Sequence, residues 1–120
     1  MKHLIKFFSV ISLLIGIQSA LACDYPERVS IPNGTTASKE EMLEGQRGVK
    51  AYVANMEAYL ECIVDEEKRA LATIEDLSAE DEQQREDMLN KKYNAAVDEM
   101  ERTAAQFNVE VQAYRAKQGS

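Results

Sequence analysis

Between Ser38 and Tyr114 apolar side chains recur in alternating steps of three and four, and the pattern breaks once, at Asp76-Leu77-Ser78. A mean step of 3.5 residues keeps side chains on one stripe of an α-helix and gives a strand no constant face. The first seam runs Met42, Val49, Val53, Met56, Leu60, Ile63, Ala70 and Ile74, completed by the polar Gln46 and Glu67. The second runs Leu89, Tyr93, Ala96, Met100, Thr103, Phe107, Val111 and Tyr114. Helix starts are written in front of each: Ser38 with Glu41 matches a capping box, and Ser78 precedes Glu80-Asp81-Glu82, acids suited to the positive end of a helix dipole. Two helices follow, over about 38–76 and 79–117. Each would be roughly 58 Å long at 1.5 Å per residue. Arms of equal length joined by so short a break predict an all-α fold, an antiparallel two-helix hairpin of coiled-coil type within residues 38–120. Asp65 with Arg69, Asp87 with Lys91, and Asp98 with Arg102 stand four apart, which predicts ion pairs on solvated outer faces.

Residues 23–37 carry Pro26, Pro32 and Asn33-Gly34, and read as an extended segment ending in a turn, where Asn33-Gly34 tolerates positive φ. Tyr25, Val29 and Ile31 are its apolar positions and should pack on the helices. Residues 1–22 read as a secretory signal peptide: Lys2, His3 and Lys6, then an apolar run from Leu4 to Ile17, then Ala20-Leu21-Ala22 before the cleavage point. That run is shorter than the ~20 residues a spanning helix needs. The expected product is periplasmic or secreted, with no membrane insertion after cleavage.

Both cysteines, Cys23 and Cys62, survive that cleavage, and in an exported chain two cysteines suggest one disulfide. The alternative is a lipoprotein anchored through Cys23. A bridge is within reach, because an N-terminal segment running back along helix one can span the distance at ~3.3 Å per residue. Tyr52 and Tyr59 widen the apolar face of helix one on one flank. Either the N-terminal segment covers that flank, or a second copy does in a homodimeric four-helix bundle. The sequence leaves both open, and Tyr52 and Tyr59 are its candidate partner-contact residues.

Cleavage removes two lysines and no acid, leaving 12 basic and 21 acidic residues, a net charge of 12 − 21 = −9. Such a surface repels phosphate, so nucleic acid is not an expected partner. The single histidine, His3, leaves with the leader. The remainder lacks the usual general base for Ser or Cys nucleophiles and the commonest zinc ligand, and it has no glycine-rich phosphate loop. No catalytic residue, metal site or cofactor is expected.

The stretch Cys23-x-x-Pro26, Ile31-Pro32-Asn33-Gly34, Glu41-Met42, Gln46, Val49-Lys50-x-Tyr52 and Tyr59-Leu60-x-Cys62 resembles a pattern in small exported proteins of proteobacteria with no assigned activity. It covers about forty residues and none of helix two. The resemblance implies a bacterial periplasmic or secreted setting and a single framework for the two cysteines. The expectation is therefore a non-enzymatic exported helical-hairpin protein acting through protein contacts in the cell envelope. The alternative is a periplasmic holdase-like chaperone cradling clients against exposed Tyr52 and Tyr59.

Overall fold

In the computed structural model, which describes residues 23–119, helix α1 spans Lys39–Ala72 and helix α2 spans Ala79–Gln118. The expected signal peptide lies outside the described residues. Contacts pair falling numbers on α1 with rising numbers on α2: Glu67 meets Arg85, and Gly45 lies beside Phe107. The helices are therefore antiparallel, as the short connection requires.

Capping fixes both starts. The Ser38 hydroxyl accepts the Glu41 amide at 3.1 Å, and Glu41 Oε2 accepts the Ser38 amide at 2.6 Å, so the box closes in both directions. The Ser78 hydroxyl accepts the Asp81 amide at 3.1 Å. The backbone and side-chain bonds at Ser38 hold the Glu41 carboxyl below the usual glutamate range. A depressed pKa favours the folded helix start above the ordinary glutamate value and withdraws that contribution as pH falls through the lower folded one. NMR titration should place Glu41 below its ordinary value, and Ser38→Ala should move it part of the way back; an unmoved titration would remove the box as the cause.

The end of α1 differs from expectation. It stops at Ala72 rather than near residue 76, because Thr73 turns back on the helix. Its amide and its hydroxyl both donate to the Ala70 carbonyl, at 3.1 and 2.7 Å, and Asp76 then takes φ 54°. Ile74, the last residue of the expected seam, falls in the loop and is 37% exposed.

The buried stripe of α1 is Met42, Gly45, Val49, Tyr52, Met56, Leu60 and Ile63. Met42, Val49, Met56, Leu60 and Ile63 are the expected seam; Tyr52 is buried beside Val53, which packs half-buried on the core, and Gly45 is buried in place of the exposed Gln46, so the stripe is widened toward one flank. The cause is a third element. The N-terminal segment leaves Cys23, which is bonded to Cys62, and runs back along α1, with Val29 against Gly48 and Pro32 against Gly45. It also rises along α2, from an Arg28–Glu99 pair at 3.6 Å to Gly34, whose amide donates to Glu110 at 2.6 Å. It thus fills one of the two grooves of the hairpin. Its side chains join both core clusters, one around Met56 and Ala96 and one around Val49 and Phe107, with Val29 touching each.

Neither Asn33 nor Gly34 takes the positive φ that the pair would tolerate. The lack of a side chain at Gly34 serves close approach instead: a Cβ there would overlap the Glu110 carbonyl and lie 2.9 Å from the Tyr114 nitrogen. Asn33 shapes the turn, its carbonyl accepting the Thr36 and Ala37 amides and its Oδ1 the Thr35 amide and hydroxyl.

The expected i,i+4 ion pairs do not form as written. Arg69 donates to the Asp65 carbonyl, Asp87 accepts from Gln83, and Arg102 pairs with Glu99. Long exposed side chains choose among several partners of similar energy, so spacing alone does not select one.

Candidate interaction surface

The two tyrosines expected to meet a partner meet the chain's own N-terminal segment. Tyr52 is 3% exposed in the core beneath Val29 and Cys23, and half-buried Tyr59 packs edge-to-face on Tyr25 with ring centroids 5.0 Å apart. Burial, then the neighbouring Tyr52, Glu99 and Tyr59, push the Tyr25 phenol up. The broad flank of α1 is thus covered from within. The disulfide occupies both sulfurs, with Cα atoms 5.7 Å apart, so Cys23 has no thiol left for a lipid anchor.

Burial of Tyr52 comes with an unpartnered hydroxyl. An orphaned buried hydroxyl costs about 1–3 kcal/mol, whereas a phenylalanine of the same shape keeps the packing. Tyr52→Phe should therefore leave stability unchanged or raise it by about 1 kcal/mol, measured by urea unfolding. A loss of that size would mean the hydroxyl has a partner.

Beyond Cys62 the arrangement changes: among the described residues the N-terminal segment starts at Cys23, bonded to Cys62, and reaches no further along the hairpin than a Cys23–Glu66 contact. From Val64 to Ala95 no residue is buried. The two helices of this distal arm are held across their contact by Arg85, which donates to both oxygens of Glu67 at 2.7 and 3.2 Å. Met88 is 61% exposed and Tyr93 39%. Between Glu75 and Asp87 there are seven carboxylates and one arginine, the Arg85 already held by Glu67.

Two shallow grooves flank the arm. One continues the strapped side and is lined by Ile63, Glu66, Met88, Leu89 and Lys92. The other is lined by Leu60, Val64 and Tyr93 with Glu57, Glu61, Asp65 and Lys68. Among the described residues no group of three or more His, Cys, Asp or Glu could hold a metal ion, and no helix is long and apolar enough to cross a membrane. What this surface offers is an apolar stripe with charged edges.

Sequence periodicity placed Tyr93 in the core seam and passed over Met88. The signal that could have found them is the position of Cys62: a bridge there ends the third layer well short of the hairpin tip. Comparison with protein-family models, with curated proteins and with solved structures finds no match to this chain.

Proposed function

We propose that this is a non-enzymatic, exported helical-hairpin protein of the bacterial cell envelope that acts by binding another protein through its distal arm. The observation that carries this reading is the contrast between the two halves of the hairpin. One half is packed by three elements; the other, residues 64–95, buries no side chain yet keeps Met88 and Tyr93 at its surface. Surface aromatic and methionine side chains are the residue types that protein interfaces favour. Export is supported by the leader-like residues 1–22 and by a disulfide, a bond kept in oxidising compartments.

The holdase alternative needs Tyr52 and Tyr59 at the surface. Tyr52 is in the core and Tyr59 is half-covered by Tyr25, which removes the surface that alternative relied on; an assay of client aggregation showing no protection would complete its rejection.

The test is photocross-linking in intact cells, with the photoreactive residue placed at Met88, Tyr93 or, as a control on the strapped half, the exposed Gln112. The expected result is one discrete protein adduct from the arm positions, none from Gln112, and recovery of the protein in the periplasmic or secreted fraction. No adduct from either arm position, or a cytoplasmic location, would overturn the reading.

A further inference from the structure

At about 100° per residue, Val64 lies roughly 160° around α1 from Cys62. The groove lined by Leu60, Val64 and Tyr93 therefore opens on the face turned away from the N-terminal segment. Along its α1 edge stand Glu57, Glu61 and Asp65, one every four residues, which puts them roughly 6 Å apart along the helix axis. None of these three carboxylates forms an ion pair among the described residues, and Lys68, the one base lining the groove, stands a turn beyond Asp65 without pairing to it, so three acids face one base. An apolar floor with a row of unneutralised acids specifies its occupant: covering the floor with an uncharged surface would strip water from the acids without replacing it.

We infer that this groove takes a basic amphipathic helix from a partner protein. Its apolar stripe lies on Leu60, Val64 and Tyr93, and lysines or arginines spaced by four meet Glu57, Glu61 and Asp65. A third helix suits the site because two antiparallel helices offer a groove between their ridges, as in helical bundles. A second copy of the chain does not suit it: each copy would bring the same carboxylate row and a net charge of −9 over residues 23–120. This inference rests on the protein-contact reading above and adds the site and the partner's chemistry.

The experiment is calorimetric titration of the oxidised exported protein with a synthetic helical peptide of about three heptads, carrying Leu at a and d and Lys at e and g. Two controls are a scrambled peptide of the same composition, which has charge but no stripe, and a version with Glu in place of Lys. Binding is expected for the Lys peptide alone, weakening with salt, and falling at least tenfold in the doubly substituted Glu57→Lys, Glu61→Lys protein and in Tyr93→Ser. Met88→Ser, in the other groove, should bind as wild type. Circular dichroism and melting curves confirm that each variant is folded. Equal binding of the scrambled peptide, loss with Met88→Ser instead of Tyr93→Ser, or a Tyr93-dependent dimer in sedimentation would overturn the inference. A cellular adduct from Met88 but not from Tyr93 would overturn this groove while the protein-contact role stands.

Discussion

Cys62→Ser should cost the oxidised protein about 4 kcal/mol of stability, the loop-entropy value for a bridge closing about forty residues. The bridge joins residues 39 apart and pins the free end of the N-terminal segment to α1. Without it the segment is held by the turn at Gly34 and by Val29 and Pro32, and the cover over Tyr52 and Met56 can lift at the Cys23 end. A hairpin with so few buried side chains has little else to absorb that loss. Urea unfolding measures it with and without a thiol reductant. Reduced wild type should fall to the level of the variant, and Cys62→Ser should then matter little. A similar loss in both conditions would assign the effect to packing of the Cys62 side chain.

Gly34→Ala should be nearly as damaging, at about 2–3 kcal/mol, because the added methyl meets helix backbone. The Glu110 carbonyl and the Tyr114 nitrogen belong to the hydrogen-bonded ladder of α2 and cannot step aside as a side chain can. The turn must rise instead, breaking the 2.6 Å bond from the Gly34 amide to Glu110. Gly48→Ala is the matched comparison. Its methyl would meet only the Val29 side chain, at 2.9 Å, and alanine regains about 1 kcal/mol of helix propensity. Thermal melting should place Gly48→Ala near wild type and Gly34→Ala well below it. The reverse order would mean that the turn does not dock on α2 as described.

The two helices, their N-caps and the existence of a break between them were legible from local pattern, while the end of α1 at Ala72 was not. Ser38 and Glu41 cap each other with no help from distant residues, and the Ser78 hydroxyl caps α2 by accepting the Asp81 amide. The register was legible at Met42, Val49, Met56, Leu60 and Ile63, and only the width of the stripe was missed. Gln46 and Val53 satisfy the three-four rhythm as well as Gly45 and Tyr52 do, and rhythm carries no information about which flank a third element will press. The candidate surface was the least legible part. Tyr52 and Tyr59 marked a flank that either the N-terminal segment or a second copy could cover, and local pattern does not choose between a distant segment of the same chain and another molecule. Tyr93 looked like core because a seam says nothing about where its cover ends.

Sequence alone determined that this chain forms two capped, antiparallel helices of one seam each, since capping and 3.5-residue periodicity act over a few residues. Tertiary structure decided which groove is filled and which is open. The contacts that decide it, Cys23 with Cys62 and Gly34 with Glu110, span 39 and 76 residues, and they exist only after the helices have brought those positions together.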